Sequence, residues 1–222
     1  AKIEKPDAIR NINKIIANSD ALMVARGDLG VEIAAQKVPV LQKKLVRSAR
    51  RRAKPIIIAT QLMESMIDNL IPTRAETNDT ANAVFDGADA VMLSAETAAG
   101  RHPVEAVQFM SRILIEAESH IFKNPESGPG QLPVENSVYH AVARTSVSLA
   151  ETVEATVMVA FSSSGNTAMR IARERPSIPF LVMTPNIHVQ RRLGLLWGTR
   201  TATSAFSEDF ESAIIEAIEQ IK

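Results

Sequence analysis

The strongest constraint on the fold is a set of short, almost entirely apolar runs that recur about every 35 residues in the first half of the chain. They span residues 21–25, 56–60 and 88–94, are rich in Val and Ile, and end in small or polar residues. Such runs are typical of strands buried on both faces. One helical pattern lies in each interval, so this βα repetition predicts a parallel sheet.

The intervals carry recognisable helix signals. Val38, Leu41 and Leu45 recur at helical spacing, and Thr73–Glu76 has the form of a capping box that opens a helix. The basic run 47–54 falls at the end of a predicted helix, where cations complement the helix dipole. We therefore interpret this run as a solvated face rather than as a phosphate-binding patch.

A change of composition predicts a domain boundary. Residues 123–133 contain three Pro and two Gly without apolar periodicity. We expect domains at 1–122 and 134–222, joined by a linker at 123–133. The second domain repeats the βα pattern, with apolar runs at 156–161 and 180–184 and helices before, between and after them, so it too should contain a parallel sheet.

Composition narrows the functional classes. The 25 basic residues balance the 25 acidic ones, so no charge excess indicates a nucleic-acid or membrane partner. Without cysteine, disulfides and thiolate metal sites are excluded, and the four histidines show no ligand spacing. No apolar run approaches the length of a membrane span, and no signal-peptide pattern opens the sequence, so we expect a cytoplasmic protein.

Candidate chemistry gathers where strands end, because helix N-termini and loop amides converge there in parallel α/β folds. Gly27 and Asp28 follow the run 21–25, and alternation places Lys2 and Glu4 on one face of a short strand beside it. Two carboxylates that share a site favour a hard divalent cation such as Mg²⁺. Taken alone, these residues fit a structural salt bridge better than a metal site.

A second candidate site is the serine-rich segment that follows the run 156–161. Ser162, Ser163, Ser164, Gly165, Asn166 and Thr167 precede and open a predicted helix. Their hydroxyls and backbone amides suit a phosphate group. An ordinary serine-rich turn explains the segment equally well on sequence grounds alone.

Several strings together resemble the pyruvate kinase family, and the resemblance covers the chain, more loosely after the linker. They are AKIE at 1–4, MVARGDLGVE at 23–32, ATQLMESM at 59–66, PTRAE at 72–76 and DAVMLSAET at 89–97. The resemblance implies strands 5 to 8 of a (β/α)₈ barrel, followed by a parallel α/β effector domain. It also implies phosphoryl transfer from phosphoenolpyruvate to ADP, which gives pyruvate and ATP in glycolysis.

The resemblance assigns a role to each candidate. Glu4 and Asp28 match ligands of Mg²⁺ or Mn²⁺, and Lys2 and Thr60 match catalytic groups. Substrate-binding positions of the family are matched by Ala25, Gly27, Asp28 and Thr60. A supporting hydrogen-bond network is matched by Arg26, Ser94 and Glu96, and an effector-phosphate loop is matched by Ser162 to Thr167. Family members also use K⁺, whose site would lie outside this chain, and are usually homotetramers.

Only part of such an enzyme is represented here, since four barrel strands, the lid domain and two final strands have no counterpart. We therefore expect this chain alone to be inactive, without a complete ADP site. Two alternatives remain: a lyase of the related barrels that bind pyruvate enolate on Mg²⁺, and a non-catalytic module that binds a phosphorylated effector. The TRAE and MLSAET strings and the second domain disfavour the lyase.

Overall fold

The computed structural model describes residues 1–133, 135–204 and 210–221. It divides into two compact units, Ala1–Gly130 and Gln131–Lys222. The proline- and glycine-rich segment predicted as a linker, residues 123–133, spans the division between them. Each unit has a parallel sheet of its own, with helices in the connections.

The first unit is built on a four-stranded parallel sheet in the order β1-β2-β3-β4, which is also the chain order. Its strands fall within the predicted apolar runs, and β1 adds the short strand proposed around Lys2. Their bounds are β1 Lys2–Ile3, β2 Leu22–Ala25, β3 Ile56–Ala59 and β4 Ala90–Met92. Sequential parallel pairing with a helix in every connection is the pattern of a (β/α) barrel segment.

Helices connect these strands and cover the sheet. Their bounds are α1 Pro6–Arg10, α2 Ile12–Ala17, α3 Arg26–Glu32, α4 Val38–Arg51, α5 Arg74–Asp86, α6 Ala95–Ala98 and α7 Pro103–Lys123, with 3₁₀ turns at Ala35–Lys37, Glu64–Ile67 and Pro125–Ser127. The predicted capping box opens α5: Thr73 Oγ1 accepts from Glu76 N, and the Glu76 carboxylate accepts from Thr73 N.

The core of this unit lies between the sheet and the helices. Val24, Ile56 and Ile58 are fully buried, and Leu45 and Val46 of α4 pack in the same cluster. Strands buried on both faces cannot alternate polar and apolar residues, which explains why their sequence signal was a continuous apolar run.

The second unit contains a three-stranded parallel sheet in the order β5-β6-β7 among the described residues. Its elements are α8 Val138–Thr152, β5 Met158–Phe161, α9 Asn166–Ala172, β6 Phe180–Thr184, α10 Ile187–Leu193, β7 Thr199–Thr203 and α11 Phe210–Ile221. Central β6 is buried at every position and matches the predicted run 180–184. Ala168, Val182 and Leu193 are fully buried in the cluster that joins α9 and α10 to this sheet.

Strand β7 was not predicted. Its sequence, Thr-Arg-Thr-Ala-Thr, is polar, and Ala202 is its only buried residue. It pairs with β6 along its whole length, from Phe180↔Thr199 to Thr184↔Thr203. A partly exposed strand of β-branched residues has no apolar run to reveal it. Within the parts of the chain that the structure describes, no helix combines the length and apolarity needed to cross a membrane.

Candidate active site

The candidate site of the first unit lies at the carboxyl edge of its sheet. The register pairs Ala25 with Ala59 and Ala59 with Met92, so neighbouring strands end almost level. Glu4 and Thr60 follow directly after β1 and β3, and Asp28 and Ser94 lie within three residues of the ends of β2 and β4. The topology therefore brings together residues that are up to about ninety positions apart in the sequence.

Lys2 joins the two predicted carboxylates. Its Nζ lies 2.7 Å from Glu4 Oε2 and 2.8 Å from Asp28 Oδ2, and all three side chains are partly exposed. Hydrogen bonds to Asp28 and Glu4 raise the pKa of the Lys2 ammonium well above its ordinary value. The hydrogen bond and positive charge of Lys2 lower the pKa of Asp28. At neutral pH, the stable state of the cluster therefore has a protonated Lys2 and an ionised Asp28.

The same carboxylates fit a hard divalent cation. Both carry oxygens within 3 Å of one ammonium group, so a cation that replaced Lys2 Nζ would meet two oxygen ligands. No group of three or more acidic, histidine or cysteine side chains suited to a metal occurs among residues 1–133, 135–204 and 210–221. Mg²⁺ prefers six oxygen ligands, so substrate or water oxygens would have to supply the others.

Thr60 stands next to this cluster in an unusual backbone conformation. Thr60 and Gln61 both have positive φ, 67° and 53°. Thr60 Oγ1 donates to Ala59 O at 2.6 Å and accepts from Gly27 N at 2.8 Å. The Gly27 amide predicted to hold a substrate carboxylate is therefore engaged by Thr60. Two consecutive non-glycine residues in the left-handed region need surroundings that hold them there.

Arg26 holds that turn. It is 7% exposed, and its Nη2 donates to Thr60 O at 2.8 Å and Gln61 O at 3.0 Å. Its charge is balanced by Asp79 of α5, whose Oδ2 lies 2.6 Å from Nη1, and Gln42 of α4 accepts at 3.4 Å. A buried guanidinium is retained because carboxylate and carbonyl acceptors compensate its lost hydration.

Asp79 and Gln42 were not predicted as site residues. Each lies on a helix that carries an otherwise ordinary polar pattern, so the sequence gives no signal that it turns inward toward Arg26. Only the packing of α4 and α5 beside the strand ends brings them there.

Ser94 and Glu96 support the same edge from β4. Glu96 is 4% exposed, and its carboxylate accepts from Ser94 N at 2.8 Å and from Met63 N at 3.3 Å. It thereby joins the end of β4 to the loop after β3. Ser94 itself is exposed at the start of α6, and Ala25 is a buried residue that offers only its backbone to the site.

In the second unit, the loop Ser162 to Thr167 follows β5 and opens α9. Ser162 is 6% exposed, and its Oγ accepts from Gly165 N at 3.1 Å. Ser164 Oγ accepts from Asn166 N at 3.4 Å, and Arg192 of α10 donates to Ser164 O. The hydroxyl of Ser162 is thus used inside the loop, whereas Ser163, Ser164, Asn166 and Thr167 are exposed.

These features define a parallel α/β protein of the barrel class, with an acid pair and a lysine at the carboxyl edge of its strands. The family described as "Pyruvate kinase, barrel domain" matches residues 1–107, and "Pyruvate kinase, alpha/beta domain" matches residues 140–222. The chain belongs to the pyruvate kinase family. The predicted fold class, part of a (β/α)₈ barrel followed by a parallel α/β domain, is confirmed.

Individual relatives agree with this assignment. A pyruvate kinase of Agrobacterium vitis is 48% identical over 217 residues, which cover 98% of this chain and 46% of the relative. One from Mycobacterium tuberculosis is 44% identical over 201 residues, 90% of this chain and 42% of the relative. The crystal structure of a Cryptosporidium parvum pyruvate kinase is 38% identical with a TM-score of 0.88, covering 99% of this chain and 45% of that one. The chain thus spans just under half the length of these relatives.

Proposed function

We propose that the protein to which this chain belongs transfers the phosphoryl group of phosphoenolpyruvate to ADP and produces pyruvate and ATP. The observation that carries the proposal is the cluster of Lys2, Glu4 and Asp28 beside Thr60, at the strand edge where the family motifs fall. The cluster supplies a fixed cation, two oxygen ligands and a hydroxyl in one place. Phosphoryl transfer depends on such positioning and charge stabilisation more than on covalent chemistry.

Glu4 and Asp28 are the proposed protein ligands of Mg²⁺ or Mn²⁺. A divalent ion held there would neutralise negative charge on the substrate's carboxylate and phosphate oxygens. Asp28 is suited to this role because its pKa is lowered, which keeps it ionised well below neutral pH. Glu4 adds a second carboxylate from the neighbouring strand, so the ligands come from two rigid elements.

Lys2 is the proposed electrostatic catalyst. Its pKa is raised, so it stays an ammonium group throughout the physiological pH range and does not act as a general base. When a divalent cation takes the carboxylates, Lys2 becomes free to turn toward the transferring phosphoryl group. There its positive charge would stabilise the oxygen charge that develops as the bond to the substrate breaks.

Gly27, Asp28 and Thr60 are proposed to position the substrate. Helix α3 begins at Arg26, directly after β2, so its N-terminal amides lie at the carboxyl edge of the sheet, where the positive end of a helix attracts a carboxylate. Gly27 N donates to Thr60 Oγ1, so binding of a substrate carboxylate at that amide would free an acceptor lone pair of the hydroxyl, whose own proton is donated to Ala59 O. Thr60 would then be available to relay a proton to the enolate carbon, while Arg26 keeps its backbone fixed.

The intact protein is proposed to need more than this chain provides. Its ADP and K⁺ sites would lie in segments that the relatives have and this chain does not cover, so we expect the 222-residue chain alone to form no pyruvate. We further propose a cytoplasmic homotetramer with no nucleic-acid or membrane partner, as the balanced charge and family membership favour.

The loop Ser162 to Thr167 is proposed to bind the phosphate of an allosteric effector. Ser163, Ser164, Asn166 and Thr167 are exposed, and the amides that open α9 lie beside them. Replacement of Ser164 and Thr167 by Ala should abolish activation of the intact enzyme by sugar phosphates or AMP. Full activation of that double variant would place the effector elsewhere.

The experiment that tests the catalytic proposal is a coupled assay of pyruvate formation by the intact protein and its Lys2→Met variant. The turnover of the variant should fall by at least about a thousandfold, because it lacks the positive charge of Lys2 that would stabilise the transition state. Lys5→Met is the matched control, since Lys5 is an exposed lysine outside the cluster, and it should retain wild-type turnover. Normal turnover by Lys2→Met would refute the role of Lys2, and phosphoenolpyruvate breakdown without ADP would favour a lyase.

A further inference from the structure

A second charged cluster lies inside the C-terminal unit, away from the effector loop. It joins three segments: the residues before α8, the first turn of α8, and the end of α9. His140 Nδ1 lies 2.8 Å from Arg173 Nη1, and His140 Nε2 lies 3.3 Å from Glu135 Oε2. Arg173 Nη1 also lies 3.2 Å from Glu135 Oε1, and Arg173 is 3% exposed.

The contacts favour a neutral His140. A guanidinium group can only donate, so the ring nitrogen at 2.8 Å from Arg173 Nη1 is the acceptor when the two groups are hydrogen-bonded. The other ring nitrogen, Nε2, lies 3.3 Å from Glu135 Oε2 and 3.4 Å from Arg173 Nη1, so a proton on Nε2 can be directed at Glu135. A proton added to Nδ1 would place an N–H against the N–H of Arg173, and this bond would be lost.

The surroundings oppose that added proton. Burial is the largest effect that lowers the pKa of His140, followed by the charges of Arg173 and, more weakly, Arg170. Glu135 and Glu174 act in the opposite direction, but Arg173 contacts both carboxylates, the second through Nε at 3.0 Å. Glu135, His140 and Arg173 line a small cavity of about 20 Å³ together with Arg144 of α8. This cavity is large enough for one water molecule.

We propose that Glu135, His140 and Arg173 form an acid-sensitive clasp that fastens the segment before α8 to the end of α9. Protonation of His140 breaks its bond to Arg173, leaves the ion pair of Glu135 and Arg173 as the remaining link of the clasp, and loosens the lining of the cavity. The clasp is independent of the proposed function, because its geometry lies wholly within the C-terminal unit. It bears on that function through α9, whose first residues belong to the loop Ser162 to Thr167.

The direction of the pH effect follows from linkage. In the unfolded chain His140 takes up a proton near its ordinary pKa of about 6.5, whereas in the folded unit it does so at lower pH. The unfolded state therefore binds more protons as the pH falls below about 6.5. The stability of this unit decreases from that pH downward, and the decrease is complete below the folded pKa.

Trp197 makes the effect measurable in the intact protein. It is the single tryptophan of this sequence and is buried in the C-terminal unit, so its contribution to the fluorescence of the intact protein reports the unfolding of that unit. We would compare unfolding midpoints at pH 7.5 and 5.5 for the wild type, His140→Gln and His188→Gln. Glutamine keeps an acceptor and a donor without titrating, and His188 is an exposed histidine in the same unit.

Between pH 7.5 and pH 5.5, the unfolding midpoints of the wild type and His188→Gln should fall by a few degrees more than the midpoint of His140→Gln. Equal losses in the wild type and His140→Gln would overturn the clasp, as would a smaller loss in His188→Gln. Should His140→Gln fail to fold, the wild type alone decides the matter by amide exchange. Beyond the intrinsic effect of pH, peptides covering 135–142 should exchange several-fold faster at pH 5.5, and unchanged protection there would equally overturn it.

Discussion

Gly165 offers the sharpest test of the packing behind the loop Ser162 to Thr167. It caps α9 with φ of +83°, and a methyl group added there would lie 3.0 Å from Leu193 Cδ2 and 3.2 Å from Val189 Cγ1. Both neighbours are buried, so neither can move away freely. Gly198 has φ of +58° in the same unit, but a methyl group there would meet nothing within 4 Å.

The two glycines therefore separate backbone strain from steric conflict. Gly198→Ala introduces left-handed strain of about 1–2 kcal/mol, partly offset by about 0.4–1 kcal/mol because alanine makes the unfolded chain less flexible. A net loss of about 0.5–1 kcal/mol follows. Gly165→Ala adds an overpacking cost of about 1–3 kcal/mol, because carbon atoms favour separations of about 3.5–4.0 Å. Its total should reach about 1.5–4 kcal/mol.

The assay is thermal or urea unfolding of the intact protein, followed by the fluorescence of Trp197. For a unit of this size, each kcal/mol shifts the thermal midpoint by about 4–8 °C, so the overpacking cost of about 1–3 kcal/mol should separate the two variants by roughly 4–24 °C. Midpoints are compared rather than intensities, because Gly198 adjoins the tryptophan. Equal midpoints for Gly165→Ala and Gly198→Ala would refute the reasoning that the loop packs tightly on α10.

Three further outcomes are expected. Glu76→Gln should destabilise the first unit by about 1–2 kcal/mol at pH 7 and by progressively less below pH 4.5, because hydrogen bonds from Ser65 and Thr73 lower the pKa of Glu76. Thermal unfolding followed by circular dichroism measures this difference, and a difference that does not change with pH would contradict the prediction. Lys2→Met should raise the affinity of the substrate-free protein for Mn²⁺, because Lys2 holds the carboxylates a metal would use; electron paramagnetic resonance titration measures this, and weaker binding would count against the site. Ile58→Ala should cost about 2–5 kcal/mol in urea unfolding, because the side chain is fully buried in the central sheet, and a loss below about 1 kcal/mol would contradict that burial.

The sequence predicted those parts of the fold that have a local signal. Largely buried strands such as β3 and β6 are apolar runs, and the capping box at Thr73 contains both of its partners within four residues. Strand β7 was missed because it is polar and draws its stability from pairing with β6. Arg50, within the run interpreted as solvated, is instead 3% exposed and donates to Pro129 O at 3.2 Å. That partner is 79 residues away, so no local pattern reveals it.

The candidate site shows the same division. Lys2, Glu4 and Asp28 could be grouped from sequence because parallel strands end at one edge, and alternation sets which side chains share a face. The hydrogen bond from Gly27 N to Thr60 Oγ1 depends on a left-handed turn at Thr60. The ion pair between Asp79 and Arg26 depends on the packing of helices. Neither follows from periodicity or motif spacing.

We propose that the carboxylates after β1 and β2 serve a metal-assisted phosphoryl transfer. This proposal is tested most directly by measuring ADP-dependent pyruvate formation from phosphoenolpyruvate in the intact protein across a range of Mg²⁺ concentrations, for the wild type, Asp28→Asn and the surface variant Asp7→Asn. We expect Mg²⁺-dependent turnover in the wild type and in Asp7→Asn. In Asp28→Asn the turnover should fall by at least about a hundredfold, because one of the two proposed protein ligands of the metal is absent. Wild-type turnover and an unchanged Mg²⁺ requirement in Asp28→Asn would contradict it.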